Sequence, residues 1–263
     1  MAFTGSPNIS LTYLPEETVH QVADACTYLL NSDACCQQFV YDWNLSDSNC
    51  LKLAVTKGLG YGIIVASTLV KLPQLIKILT AGSGAGISVM GVLLEALAIT
   101  FSASYSFAKK FPFTAWGESL FLLLETALIA FLVLWFEGKR IPGLLYLITH
   151  SVFLFVLMNG WTPVHVLWCL QACTLPLAIS GKLMQGYKNM QNGHTGQMSA
   201  VTMWMLFLGC VVRVFTSIQE TGDQLVIFTF AVAAAANFLI VAQIHYYWNV
   251  TNEHLKQGSK KTD

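Results

Sequence analysis

Apolar runs of membrane-spanning length recur along most of the chain. Seven fall near residues 58–79, 87–107, 117–136, 141–159, 163–185, 199–218 and 224–247, each close to the ~20 residues a helix needs to cross a hydrocarbon core. The fourth is the shortest. It counts as a span because Glu137-Gly138-Lys139-Arg140 before it and Asn159-Gly160-Trp161-Thr162-Pro163 after it are turn signals. Ahead of the first run, residues 1–53 are polar and acidic, with Glu16, Glu17, Asp24, Asp33, Asp42 and Asp47 against one late lysine, Lys52. Residues 18–30 have the pattern of a short amphipathic helix, too short and too polar to span. The pattern predicts an all-α membrane protein with seven transmembrane helices.

Proline divides the first run. Pro73 lacks a backbone donor and pushes away the carbonyl four residues earlier, that of Leu69, so this helix must bend. A weaker copy of the pattern lies at Thr174-Leu175-Pro176-Leu177. Pro73, Lys77 and the turn ending Gly86-Ile87-Ser88 can be laid beside Pro176, Lys182 and the turn ending Thr195-Gly196-Gln197-Met198-Ser199. Two further spans joined by a short loop follow each turn. The expected organisation is a segment over 1–53, a three-helix repeat over 54–136, a connector helix over 137–160, a second repeat over 161–250 and a tail over 251–263. A single connector makes the repeats parallel, with a pathway at their interface and hinges at Pro73 and Pro176.

Composition agrees with the pattern: 55% of the 263 residues are hydrophobic and 11% charged, against roughly 25% charged in soluble domains. Zero net charge and no basic run longer than two residues exclude nucleic-acid binding. No charged start precedes a compact apolar core, so no cleavable signal peptide is expected. With the N-terminus luminal, the cytosolic side holds Lys77, Lys139, Arg140, Lys182, Lys188, Lys256, Lys260 and Lys261, and the luminal side only Lys52, Lys57, Lys109 and Lys110. That orientation leaves Asn8-Ile9-Ser10 and Asn44-Leu45-Ser46 as usable glycosylation sequons. It also gives Cys26, Cys35, Cys36 and Cys50 an oxidising compartment, where three pairings exist and one, between adjacent Cys35 and Cys36, is unfavourable. Cys169, Cys173 and Cys210 lie in apolar runs and read as packing residues. Lys260-Lys261-Thr262-Asp263 at the end resembles a dilysine signal for retrieval to the endoplasmic reticulum.

Lys71-Leu72-Pro73-Gln74 followed by Gly86-Ile87-Ser88 resembles the PQ-loop family of seven-helix membrane proteins, which includes the SWEET sugar transporters, the lysosomal cystine exporter and the KDEL receptors. Further strings sharpen the resemblance, among them Phe111-Pro112-Phe113, Trp116-Gly117-Glu118 and Asn192-Gly193-His194-Thr195-Gly196-Gln197. With Phe215-Thr216-Ser217-Ile218-Gln219-Glu220-Thr221-Gly222-Asp223 and Tyr247-Trp248-Asn249, they resemble the branch of that family needed for use of mannose-phosphate-dolichol. The resemblance implies an endoplasmic-reticulum protein that makes mannose-phosphate-dolichol and glucose-phosphate-dolichol usable as luminal sugar donors. The dependent pathways would be N-glycan, glycolipid-anchor and protein-mannose synthesis. Its implied partners are dolichyl-phosphate sugars, the lipid bilayer and luminal dolichol-dependent glycosyltransferases. The second repeat has Pro176-Leu177 where many relatives have Pro-Gln, leaving Gln74 without a symmetric partner in this register.

Charges at membrane depth cost about 2.5–3.5 kcal/mol each on insertion scales, which makes Lys71, Glu95, Glu125 and Arg213 functional suspects. Their bland reading is snorkelling for Lys71 and an ion pair of Arg213 with Glu95 or Glu125. A dolichyl-phosphate sugar needs cations for its phosphate and amides for its hydroxyls, so Lys71, Gln74, Arg213, Asn237 and Gln243 are the expected substrate-binding residues. Asn237 also resembles by position the last-helix asparagine that lines the sugar site of SWEET-like relatives. Glu220 and Asp223, three apart in a Glu-Thr-Gly-Asp turn, could bind a cation but read better as helix-capping groups. Without a nucleophile–base pair, a phosphate-cradling loop or a metal cluster, neither an enzyme nor a cofactor is expected. Three readings follow: a carrier that translocates or reorients the lipid-linked sugar, a chaperone that presents it to transferases, and a SWEET-like transporter of a soluble small molecule.

Overall fold

All seven apolar runs are helical in the computed structural model, which describes residues 16–42, 44, 46–84, 87–195 and 198–251. Outside the described residues lie the Asn8 sequon, Leu45 of the second sequon, Gly86 and Gly196-Gln197 of the two turns, Lys256 and the Lys260-Lys261 tail. Regular structure among the described residues is helical: α1 (Glu16–Leu30), α2 (Asp33–Val40), α3 (Ser48–Val70), α4 (Leu72–Ala81), α5 (Val89–Ala108), α6 (Phe113–Phe136), α7 (Arg140–Met158), α8 (Val164–Asn192), α9 (Ala200–Glu220) and α10 (Gln224–Tyr246). The chain divides into two compact units, Met1–Gly62 and Ile63–Asp263.

In the first unit, Ser32 caps α2 by accepting from the Cys35 N–H. Cys35 and Cys36 follow one another on that helix, about 100° apart around its axis, and so point to different neighbours. Cys36 bonds to Cys26 on α1, and Cys35 to Cys50 on α3, with Cα separations of 5.7 and 5.2 Å. The helix thus selects one of the pairings left open by the cysteine spacing. Asp47 accepts from the Asn49 and Cys50 N–H groups and starts α3 ten residues before the apolar run begins at 58.

Proline interrupts the first span at a single residue. α3 ends at Val70, Lys71 stands between the helices, and α4 starts with Pro73 in its first turn, where a missing donor costs nothing. The second copy behaves differently, because α8 runs on through Pro176 to Asn192.

The structure also corrects the repeat register. Gly82 and Gly193 end α4 and α8 in left-handed conformation, with φ of 56° and 68°. Ser88 and Ser199 cap α5 and α9 by the same bond to the N–H three residues on. The first residues of α6 and α10 are Phe113 and Gln224. Buried Val92, Ile129, Ala130 and Val133 form one cluster, and Met203, Ile240, Val241 and Ile244 another. Every one of these pairs is offset by 111 positions. In that register the counterpart of Lys71-Leu72-Pro73-Gln74 is Lys182-Leu183-Met184-Gln185, and Gln74 does have a partner. Pro176 lies about two turns earlier in α8 and is not the equivalent of Pro73. Met184 keeps its N–H, which is why α8 is unbroken where the first copy is interrupted.

Each copy packs alike. α6 lies against both α4 and α5, as α10 lies against both α8 and α9, and the connector α7 packs on α5 and α6. α5–α8 and α6–α9 contacts join the copies. Glycine permits two close approaches: a Cβ on Gly117 would lie 2.9 Å from Ile64 Cδ1, and one on Gly186 2.9 Å from Leu239 Cδ2. On α7, Ile141, Leu145, Ile148 and Val152 are exposed, an apolar outer face suited to lipid.

Candidate functional site

α5 and α6 of the first copy and α8 and α10 of the second enclose a chamber of about 570 Å³, within the roughly 300–1,000 Å³ typical of small-ligand sites. Leu94, Ile99, Leu122 and Phe230 supply apolar wall. Ser102, Ser119, Thr174 and Thr229 add hydroxyls, and Glu95 and Glu118 two carboxylates. Gln171 lines it too, buried, with an amide oxygen that has no hydrogen-bond partner. The Trp116 indole N–H donates to the Phe111 carbonyl at 3.1 Å, fixing the ring in the chamber wall.

Both chamber carboxylates are matched by a cation behind them. Lys71 Nζ meets Glu95 Oε1 at 2.8 Å and donates to the Thr126 hydroxyl at 2.8 Å, while the Glu95 side chain stays 51% exposed. Arg213 is 3% exposed and its NH2 group meets Glu118 Oε2 at 2.6 Å. That contact is an ion pair without hydrogen-bond geometry. Its NH1 group donates to the carbonyls of Thr114 and Ala115 at 3.2 and 3.4 Å. Arg213 therefore pairs with Glu118 rather than with Glu95 or Glu125. Buried Glu125 Oε2 has no hydrogen-bond partner.

Asn237 is buried beside the chamber. Its Nδ2 donates to Cys210 Sγ at 3.4 Å, and its Oδ1 has no partner. It lines a separate cavity of about 140 Å³ with Lys182; Ala178 and Thr229 line both this cavity and the chamber. Gln243 is engaged at both ends of its amide, accepting from Asn189 Nδ2 and donating to the Gly186 carbonyl, each at 2.9 Å, and so ties α10 to α8. Gln74 sits on an exposed side of α4. Of the expected binding residues, the structure brings Lys71 and Arg213 behind the chamber and Asn237 beside it, and places neither Gln74 nor Gln243 in its lining.

Sequence reasoning missed Gln171 and Lys182 as site residues. The signal for Lys182 is Lys-Leu-Met-Gln, 111 positions after Lys-Leu-Pro-Gln, but it lacks the proline that marks the first copy. At the far end of the bundle, Asp223 caps α10 by accepting from the Leu225 and Val226 N–H groups, as its position suggested. It also accepts from the Tyr105 hydroxyl at 2.7 Å.

Residues 55–115 match the PQ loop repeat family. Solute carrier family 66 member 3 of Homo sapiens is 22% identical over 179 residues, covering 67% of this chain and 86% of that protein. No solved structure matches the chain. With seven helices long and apolar enough to span, the chain is a multi-pass membrane protein that is helical throughout its described regular structure, and the stretch around the break between α3 and α4 is similar to the PQ loop repeat.

Proposed function

We propose that this protein is a non-catalytic carrier of the endoplasmic-reticulum membrane that binds dolichyl-phosphate sugars, mannose-phosphate-dolichol above all, and helps them cross or reorient in the bilayer. The observation that carries the reading is the chamber between the copies. Its hydroxyls and two carboxylates suit the hydroxyls of a neutral sugar, and the Trp116 ring offers a face for its C–H groups. Lys71 and Arg213 hold Glu95 and Glu118 in place as acceptors. The motif strings, above all residues 215–223, are similar to the mannose-P-dolichol utilization defect 1 protein and supply the identity of the lipid. The disulfides Cys26–Cys36 and Cys35–Cys50 support a luminal N-terminus, and seven spans then carry the C-terminus to the cytosol.

Reconstitution in vesicles with a labelled short-chain dolichyl-phosphate mannose tests this. Protein-dependent transfer between leaflets is the expected result. Binding without transfer replaces the carrier by a chaperone that presents the lipid to luminal glycosyltransferases, which cross-linking to a transferase would then reveal. Neither binding nor transfer overturns both.

A second reading is transport of a soluble neutral or cationic solute. It is favoured by the chamber lining itself, which carries two carboxylates and, among its described residues, no lysine or arginine. Relatedness to a solute carrier points the same way. Uptake of free mannose or of an amino acid into the same vesicles separates it from the first.

A further inference from the structure

Lys71 and Lys182 occupy the same position in the two copies, and their surroundings differ in one decisive group. In the first copy the lysine is neutralised from within: Glu95 lies 2.8 Å from Nζ and Thr126 accepts a hydrogen bond at 2.8 Å. Applying the 111-residue offset, the counterparts of Glu95 and Thr126 are Leu206 and Asn237. Asn237 keeps its place, since it lines the 140 Å³ cavity with Lys182 just as Thr126 meets Lys71. The carboxylate does not. Lys182 forms no ion pair with a described residue, and the titratable group that bears on it is the Cys210 thiol.

An ammonium in a mostly apolar cavity inside a membrane bundle is costly without a counter-ion. The first copy supplies one, and the described residues of the second do not. Buried Asn237 adds an amide whose Oδ1 is without a partner while Nδ2 meets only a sulfur, a weak acceptor. Exchanging O and N of that amide lets the carbonyl accept from the Cys210 thiol and leaves the NH2 group of this cavity-lining residue as an uncommitted donor. Lysine and asparagine then present donors to one space. That space exceeds the ~30 Å³ share of a single water and is too small for a sugar in addition to a charged group. Ala178 and Thr229 border both it and the larger chamber. Lys182 is also 18 residues beyond Val164 along α8, about 27 Å at 1.5 Å per residue, a distance close to the thickness of a hydrocarbon core of about 30 Å. Phosphate groups of membrane lipids lie at that boundary.

We infer that Lys182 and Asn237 form an anion subsite that takes the phosphate of the ligand whose sugar occupies the chamber. This rests on the lipid-linked-sugar reading above for the source of the phosphate. The chemistry itself, a phosphate ester held by one ammonium and one amide, fits a sugar phosphate in solution equally well. It also moves the phosphate-binding role away from Lys71 and Arg213, whose charge is already matched by Glu95 and Glu118.

The test is equilibrium binding to the full-length detergent-solubilised protein with four probes: short-chain dolichyl phosphate, the corresponding dolichol without phosphate, mannose 1-phosphate and inorganic phosphate. Lys182→Gln is expected to weaken the phosphate-bearing lipid by about tenfold or more, the loss of one charge-assisted bond, and to leave the phosphate-free dolichol unchanged. Lys182→Arg retains the charge and restores binding. Leu206→Glu keeps the lysine but installs the carboxylate of the first copy, and is expected to weaken the same probe as much as Lys182→Gln. Wild-type binding of the lipid that is equally strong in Lys182→Gln overturns the subsite and leaves the lipid reading standing. Lys182-dependent binding of mannose 1-phosphate or inorganic phosphate, without binding of the lipid, keeps the subsite and overturns the lipid as its source. A wild-type protein that binds none of the phosphate-bearing probes overturns both. Should Leu206→Glu fail to fold, Lys182→Gln against Lys182→Arg decides alone.

Discussion

The two ends of the bundle are held in different ways. Where α5 and α9 end and α6 and α10 begin, polar contacts run between the copies. Arg213 on α9 pairs with Glu118 and donates to two α6 carbonyls, Thr114 donates to Glu220, and Tyr105 and Lys109 both reach Asp223 at 2.7 and 3.6 Å. At the other end two side-chain clusters act within a copy. Lys71 joins α4 to α5 and α6 through Glu95 and Thr126, and Gln243 joins α10 to α8 through Asn189 and Gly186. Bonds between copies resist their separation and bonds within a copy do not. The first end is therefore locked across the copies by side chains, while these second-end contacts brace each copy internally.

Removing Arg213 is the most damaging way to break that contrast. Arg213→Met leaves Glu118 facing an apolar group with its counter-ion gone, a loss of about 3–5 kcal/mol for a broken buried pair. A large drop in the thermal midpoint of the detergent-solubilised protein is expected, with partial recovery in Arg213→Met, Glu118→Leu. A midpoint unchanged by Arg213→Met would show that the lock carries no stability. Lys71→Met is the matched change at the other end. There Glu95 is half-exposed and can be solvated, so the expected loss is only about 1 kcal/mol.

Gln243→Leu comes next. It removes two hydrogen bonds between α10 and α8, and membrane-buried bonds of this kind average about 0.6 kcal/mol each. Hydrogen exchange should quicken in the last turns of α8, from Gly186 to Asn192, and remain unchanged at the first turns of α6 and α10. Equal quickening at both ends would mean that the two ends are one cooperative unit and are not held differently.

Seven spans, their order and the presence of a repeat were legible because they rest on composition and turn chemistry, which are local. The repeat register was not, because proline is conspicuous and helix caps are not: Pro176 drew the alignment away from Gly193 and Ser199. The candidate charges were legible individually, since any lysine or arginine at membrane depth stands out. Their pairing was not, because Arg213 and Glu118 are 95 positions apart and only the α6–α9 contact brings them together. Gln171 carried no signal at all. An amide in an apolar run reads the same whether it bonds a neighbouring helix or, as here, belongs to a chamber-lining residue whose oxygen is buried without a partner.

The smallest expected effect sharpens the comparison most. Tyr105 is buried and its hydroxyl donates to Asp223 Oδ2, so it is one of several contacts between copies at the locked end. Tyr105→Phe keeps the ring, its packing with Leu157, Leu167 and Val226 and its edge contact with Phe111. Asp223 would still accept from the Leu225 and Val226 N–H groups and stay within 3.6 Å of Lys109. One bond is lost with nothing left unpaired, which limits the cost to about 0.6 kcal/mol. Equilibrium unfolding should shift by no more than that, and hydrogen exchange should quicken in the first turn of α10 alone. If the locked end is a network in which each bond supports the others, Tyr105→Phe combined with Arg213→Met will cost less than the two changes separately. Strict additivity would reduce the lock to independent contacts that share one end of the bundle.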